Sequence, residues 1–325
     1  MSGKHMRRIL VTGATGQIGS ELTQELRRKY GGENVIAVGH SRRPTGKLLE
    51  SGPFESADLT SAGELEKLIE KHDVDTVYHL AAILSASGEQ NPQQAWNVNM
   101  ESLCNVLEIS RRRGMARVFW PSSIAVFGLS SPRIKTPQET VLLPGTMYGV
   151  TKVAGELLCN YYFLKYGVDV RSLRYPGIIS SEVLPGGGTT DYAVAIFYEA
   201  IKQKRYTCFV REDTVLPMMY MPDCIKATMD LMEADPAKVS RHEGYNVAGM
   251  SFSAGELAAE IKKHVPAFQC DYKPDFRQKI ADSWPMSVDD SVARREWGWQ
   301  PAFDLVAMTK DMIEKLSKRH AEGRL

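Results

Sequence analysis

Tyr148 and Lys152 stand one helical turn apart in Tyr-Gly-Val-Thr-Lys, and Ser123 closes the apolar run Arg117-Val-Phe-Trp-Pro-Ser-Ser upstream of them. A phenol titrates near ~10 and is a poor base at neutral pH unless its anion is stabilised. An ammonium on the same helix face lowers that value, and a positive nicotinamide ring would lower it further. Such a trio suits removal of a proton from an alcohol while a nicotinamide takes the hydride. Tyr148 is then the base, Lys152 its activator and a donor to the nicotinamide ribose, and Ser123 the holder of the alcohol oxygen. Ser122 competes for the serine role; Ser123 is preferred because it directly precedes Ile-Ala-Val-Phe-Gly, where the chain leaves its strand. Tyr-x-x-x-Lys alone also occurs on structural helices, so the assignment needs a dinucleotide site in the same chain.

The chain opens with one. Ile9 to Thr12 reads as a short strand running into Gly13-Ala-Thr-Gly-Gln-Ile-Gly19, and a helix follows with Leu22, Leu26 and Tyr30 on one face. Glycines in that context let the backbone turn tightly against a pyrophosphate, which the helix amino end favours through its free N–H groups and dipole. Gly13, Thr15, Gly16, Gln17, Ile18 and Gly19 are the expected cradle. An acid closing the second strand would indicate NAD. Here the strand closes Gly39-His40-Ser41-Arg42-Arg43 instead. Arg42 or Arg43 could pair with a 2′-phosphate and lean the choice toward NADP, or both could simply be solvated. Asp58 and Leu59 could hold and cover the adenine, or Asp58 could belong to a helix cap ahead of Ser61.

The elements needed to position these groups are legible as an alternation of strands and helices. Strands are expected at Val35 to Val38, Thr76 to Leu80, Ala116 to Trp120 and Val168 to Leu173. Helices are expected through Leu65, Leu68 and Ile69, after Pro92, from Tyr148 to about Tyr166, and from Asp191 to Lys202. That rhythm predicts an α/β fold, a doubly wound parallel sheet of Rossmann type with helices on both faces. At 325 residues, two closely joined lobes are expected. A dinucleotide-binding lobe over residues 6–175 would include a return segment near 218–248, where Tyr220-Met-Pro-Asp-Cys-Ile-Lys-Ala brings the chain back to the main sheet. Residues 176–217 and 249–325 would form a smaller, interleaved substrate lobe.

Forty basic against 39 acidic residues leave a net charge of +1, which argues against nucleic acid or a membrane surface as partner and for a small molecule. Five cysteines with no Cys-x-x-Cys predict neither a disulfide framework nor a metal site, but reduced thiols of an intracellular protein. No apolar stretch is long enough to span a bilayer. The opening Met1-Ser-Gly-Lys-His-Met6 reads as a foreign leader, with the native chain expected to begin at Met6 and any transit peptide already removed.

A second chemical feature lies further on. Pro185-Gly-Gly-Gly188 followed by Thr189, Thr190 and an Ala-rich helix is a flexible loop entering a helix amino terminus. Such an end favours a carboxylate, and the loop suits a lid over a small zwitterion. A plain linker capped by Thr190 is the alternative.

With its glycine turn and Ser-Tyr-Lys trio, the chain resembles the extended short-chain dehydrogenase/reductases over nearly its full length. Three stretches resemble the L-threonine 3-dehydrogenase branch of that family: Ala81-Ala82-Ile-Leu-Ser85-Ala-Ser-Gly-Glu, Leu184 to Val194, and Ile280-Ala-Asp-Ser-Trp284-Pro-Met-Ser-Val-Asp-Asp290. The resemblance implies oxidation of the threonine hydroxyl to 2-amino-3-oxobutanoate, with hydride transfer to NAD. It gives Tyr148, Lys152 and Ser123 the roles above, and assigns the substrate carboxylate and amino group to Ser85, Gly188, Thr189 and Thr190, with Trp284 closing over them. It also implies dinucleotide contacts from His40, Ser41, Leu80, Ala81, Ala82, Asn97, Tyr175, Pro176 and Ile178, although Asn99 contests the place of Asn97. Relatives carry Asp where this chain has Gly39, so NAD is favoured on the substrate motifs and NADP is not excluded. The resemblance further implies a homodimer through helices near Pro92 to Arg113 and Tyr148 to Tyr166, with Cys159, Tyr161, Tyr162 and Leu164 as seam candidates. The expected compartment is the mitochondrial matrix in a eukaryote and the cytoplasm in a bacterium. Two rivals remain at this point. A nucleotide-sugar epimerase or dehydratase would need Arg205, Arg211 and Arg277 as a diphosphate pocket, and a non-catalytic dinucleotide sensor would leave the Tyr-Lys pair unexplained.

Overall fold

The computed structural model describes residues 5–41, 44, 46–184 and 186–325; Arg42, Arg43, Pro185 and the first four residues of the expected leader lie outside them. In chain order the first strands are β1 (Ile9–Thr12), β2 (Val35–Gly39), β3 (Phe54–Ser56), β4 (Thr76–His79), β5 (Arg117–Phe119), β6 (Ser122–Ser123) and β7 (Val170–Arg171). Six of them form one parallel sheet in the order β3-β2-β1-β4-β5-β7. β1, β2 and β4 are buried along their whole length, which is why they read as continuous apolar runs rather than alternating ones. The strand order reverses between β1 and β4, so a crevice opens beyond their carboxyl ends, where Thr12 runs into Gly13 and His79 into Leu80.

The helices flanking this sheet are α1 (Gln17–Tyr30), α2 (Lys47–Glu50), α3 (Ala62–Lys71), α4 (Ser85–Gln90), α5 (Pro92–Arg113) and α6 (Met147–Tyr166). Side chains alternate across the strands. Ile9, Val11, Val35 and Ala37 pack with Leu22 and Leu26 of α1 on one face. Leu10, Ile36, Val77 and Val118 pack with Leu65, Leu103, Leu107 and Cys159 of α3, α5 and α6 on the other. Caps set the ends of the longest helices. Asn91 accepts from the N–H of Gln94 and Gly114 turns left-handed at φ 57° to close α5. Thr146 Oγ1 accepts from Gly149 N at 3.1 Å, which fixes Tyr148 in the first turn of α6.

The remaining strands are β8 (Leu173–Tyr175), β9 (Gly177–Ile179), β10 (Arg205–Cys208), β11 (Val215–Tyr220), β12 (Tyr245–Asn246), β13 (Met250–Ser253) and β14 (Gln269–Tyr272). The single strand expected from Val168 to Leu173 is in fact two. β7 belongs to the main sheet, and after Ser172 the chain enters β8, which lies between β6 and β12 in a small parallel sheet. The segment near 218–248 meets the main sheet by packing and not by adding a strand to it. Tyr220 ends β11 within a separate sheet, β13-β11-β9, and Met221–Glu233 is the helix α8, which lies in the chain between α7 (Tyr192–Lys202) and α9 (Ala254–His264). Pro222 explains this: it suits a helix's first turn but removes a donor that an interior strand needs. Cys224, Ala227 and Leu231 of α8 seal the α1 face of the main sheet, and Tyr245 and Val247 join the same core.

A further core gathers Ile196 and Phe197 of α7, Leu216 and Phe252, Leu257 and Ile261 of α9, and Met308 and Met312 of a final long helix over Leu305–Ala321. Ala293 and Trp299 fall in the stretch expected to build this smaller lobe, yet they pack into the main-sheet core instead. Among the described residues no helix is long and apolar enough to cross a membrane.

Candidate active site

Gly13 has φ +66°, and a Cβ there would lie 2.7 Å from Ala81 N and 2.9 Å from the Leu80 carbonyl carbon. A Cβ at Gly19 would lie 2.2 Å from Gly13 O, so the turn closes only with hydrogen at both places. Gly16 N donates to Gly13 O at 2.9 Å, and at Gly16 no side chain caps α1. The first N–H groups of α1 therefore have no capping side chain, as an anion site requires. This turn fits a dinucleotide pyrophosphate. Thr12 Oγ1 meets His79 Nδ1 at 2.8 Å and His79 Nε2 meets Ser102 Oγ at 3.1 Å, pinning the ends of β1 and β4 to α5. Burial, with Lys152 adding to it, pushes His79 down to about 3 and keeps it neutral. Sequence reasoning passed over this structural histidine.

One cavity brings together Gly13, Gly16, Gln17, Ile18, Gly19, Leu80 and Ala82 with Ser123, Tyr148 and Lys152. Tyr175, Pro176 and Ile178, and then Ser85, Gly188, Thr189, Thr190 and Trp284, complete its walls. Gln17 Nε2 also reaches Ile178 O at 3.4 Å, joining the glycine helix to β9. Tyr175 turns its own phenol away to Thr228, so its part in the wall is confined to the rest of the residue.

Within this cavity Ser123, Tyr148 and Lys152 stand together. Burial raises Tyr148 to about 12, and the neighbouring Ser123 hydroxyl pulls it back. Lys152 Nζ donates to Pro121 O at 2.5 Å and sits 4.4 Å from the Trp120 ring centroid and 5.4 Å from that of Tyr148. Burial outweighs the Ser123 contact and holds the phenol above its ordinary value. Ser122 gives its hydroxyl to Glu156 Oε1 at 2.5 Å, and Glu156 takes a bidentate pair from Arg174, both at 2.8 Å. That commitment leaves Ser123, not Ser122, beside Tyr148.

Burial also lowers Lys152 from 10.5 to about 7, with Cys159 and Glu156 opposing the shift. Between those values the unfolded chain carries the proton and the folded chain does not, so stability rises with pH across the window from about 7 to 10.5. Lys152→Met should flatten that rise. Paired thermal unfolding curves of the two cofactor-free proteins at either end of the window test it, and parallel pH profiles would contradict the assignment.

Ser85 opens α4 and is buried; its Oγ lies 3.0 Å from Thr189 Oγ1 and accepts from Thr189 N at 3.2 Å. Ala86 N donates to Gly187 O at 3.1 Å, so the glycine loop is clasped to α4 over the cavity. At Gly188, one of the residues expected to receive the substrate carboxylate and amino group, the N–H is engaged: Asp191 Oδ2 accepts from Gly187 N at 3.0 Å and Gly188 N at 2.9 Å. Trp284 both lines the cavity and packs into the smaller lobe's core.

Other expected residues are placed less centrally. Thr15 lines a separate groove with Glu21 and Pro44. Ala81 abuts Gly13. His40 and Ser41 are exposed beyond β2, and Leu59 is buried. Asp58 is exposed and accepts from Thr60 N at 3.0 Å and Thr60 Oγ1 at 2.7 Å, while Ser61 caps α3. Asn97 is exposed on the outer face of α5, and Asn99 holds the inner position: its Oδ1 accepts from Ile83 N at 2.8 Å and its Nδ2 donates to Thr151 Oγ1 at 3.2 Å. Residues two apart on a helix face opposite sides, and Asn99 shares its face with Ala95 and Leu103. Cys159 is wholly inside the core and cannot form a seam, whereas Leu157 and Leu164 are 66% and 72% exposed.

Residues 9–248 match the profile of the NAD dependent epimerase/dehydratase family. The chain belongs to that family. Within it, a GalE-like L-threonine dehydrogenase from Cupriavidus necator, solved in its holo form, is 52% identical with a TM-score of 0.92, covering 95% of this chain and 99% of its own. The L-threonine dehydrogenase of Clostridium difficile is 51% identical with a TM-score of 0.94, covering 97% and 99%. A metagenomic L-threonine 3-dehydrogenase described as monomeric is 48% identical with a TM-score of 0.92, covering 95% and 99%. A Staphylococcus haemolyticus relative, described only as an uncharacterized epimerase/dehydratase, is 49% identical over 97% of this chain and 99% of its own. Membership in this family, with a holo relative at that identity, makes a nicotinamide dinucleotide the cofactor.

Proposed function

We propose that this family member is an NAD-dependent L-threonine 3-dehydrogenase, converting the side-chain hydroxyl of L-threonine to the ketone of 2-amino-3-oxobutanoate. The observation that carries this reading is the single cavity in which the Ser123-Tyr148-Lys152 relay meets the Ser85-Thr189 clasp and Trp284. The similarity to the two threonine dehydrogenases above supports it. Bound in its oxidised form, the dinucleotide supplies the hydride acceptor. Ser123 holds the substrate hydroxyl toward the phenol, and Tyr148 takes its proton as the carbon gives up hydride and the carbonyl forms. Lys152, one turn along α6, favours the phenolate as that proton arrives and leaves. The clasped loop and Trp284 keep water from the reacting carbon.

The epimerase or dehydratase alternative loses its diphosphate pocket. Arg205 pairs with Asp271 and Arg211 with Asp282, both exposed, while Arg277 pairs with Asp275 and lies over the Phe209 ring. None of the three lines the cavity. The preference for NAD over NADP rests on the oxidative direction of the reaction. Exposed Leu157 and Leu164 on α6 support a homodimer, and the five free cysteines support an intracellular setting.

The test is the near-ultraviolet absorbance of reduced nicotinamide on mixing the purified chain with L-threonine and NAD, and in parallel with NADP. Threonine-dependent reduction, faster with NAD, is expected. Absence of reduction with either dinucleotide, together with turnover of a UDP-sugar, would establish the alternative.

A further inference from the structure

We infer that Asp191 reads the α-ammonium of the substrate and so makes the cavity selective for hydroxy amino acids over the matching hydroxy acids. This rests on the function proposed above and names a contact that sequence reasoning did not assign. Among the described residues lining the cavity, Lys152 and Asp191 are the two charged side chains. Lys152 is committed to Pro121 O and the Trp120 face. Asp191 is differently placed. Its Oδ2 holds the two glycine N–H groups, but among the described residues no donor reaches Oδ1 and no Lys, Arg or His nitrogen lies within 4.0 Å. Arg277, the nearest positive influence, is engaged by Asp275 and Phe209.

Asp191 is half-buried; a carboxylate drawn partly out of water without a counter-ion is costly, and a cationic ligand group offsets that cost. Burial accordingly raises Asp191, while the N–H groups of Gly188 and Gly187 oppose the shift. The Ser85 and Thr189 hydroxyls, on the same wall, are neutral donors suited to the carboxylate of the zwitterion. An anionic diphosphate would meet the Asp191 charge as repulsion, so the residue also filters against nucleotide sugars.

The decisive variant is Asp191→Asn in the full chain, because its amide oxygen can still accept from the loop N–H groups while the charge is removed. L-Threonine turnover is followed with L-2-aminobutanoate and butanoate as competitive inhibitors. The native chain should prefer the amine-bearing inhibitor, and Asp191→Asn should erase roughly 10- to 100-fold of that preference with butanoate inhibition and dinucleotide affinity unchanged. Equal inhibition of the native chain by both compounds overturns the inference, which keeps it testable even if the variant does not fold. Absence of threonine turnover by the native chain overturns the function and the inference together. Turnover with unaltered discrimination by Asp191→Asn overturns the inference alone.

Discussion

Tyr148→Phe should lower kcat for L-threonine roughly 10²- to 10⁴-fold while dinucleotide affinity stays at the native level. Among the described residues lining the cavity, the phenol oxygen is the group beside Ser123 placed to accept the carbinol proton: Lys152 is turned to Pro121 O, and Ser122 to Glu156. The ring itself remains in the variant, so the packing around it is kept and the loss falls on the chemical step. The pH profile adds a second signature. Because burial holds Tyr148 up near 12, the phenolate fraction of the cofactor-free protein climbs as pH rises toward that value, and native turnover should climb with pH through the neutral and mildly alkaline range. The residual activity of Tyr148→Phe should lack that dependence. Full turnover in the variant, measured by dinucleotide reduction, would remove Tyr148 from the relay.

The second large effect is on stability. Glu156→Ala should cost about 3–5 kcal/mol, because removing one partner of a buried pair strands the other. Arg174 is buried and would be left with only Gln138 O at 2.9 Å and Asn246 Oδ1 at 3.2 Å, and the Ser122 hydroxyl would lose its acceptor. The pair ties α6, which carries Tyr148 and Lys152, to β8 and, through Ser122, to β6, which carries Ser123. Activity of Glu156→Ala should therefore fall at temperatures where the chain is still folded. Denaturant unfolding gives the measurement, and a loss under about 1 kcal/mol would show that the pair is not the joint between these elements.

Both predictions concern residues whose legibility in the sequence differed for a physical reason. Gly13, Gly16 and Gly19 and the Tyr148-to-Lys152 spacing are local: the left-handed turn at Gly13 and the close backbone approach at Gly19 need glycine, and residues four apart on a helix share a face wherever the helix sits. The parallel sheet was legible for a similar reason, since strands buried on both faces must be uninterrupted runs of apolar residues. Only the sheet pairing showed that β11 lies outside the main sheet and that the chain continues from it as helix.

The partners that separate similar groups came from elsewhere in the chain. Asn99 displaced Asn97 because one helix face meets the Ile83 loop, and Ser122 was withdrawn from the relay by Glu156, 34 positions away. Asp191 engages the N–H of Gly188, a residue expected at the substrate, and His79 and Arg174 acquired roles only through partners contributed by other elements. Residue types and short spacings on their own determined the fold class, the glycine turn and the chemistry of the trio. Tertiary structure alone decided which asparagine turns inward on α5, how Asp191 is engaged at the cavity, and how far burial moves Tyr148 and Lys152, because desolvation and pairing depend on neighbours distant in the chain.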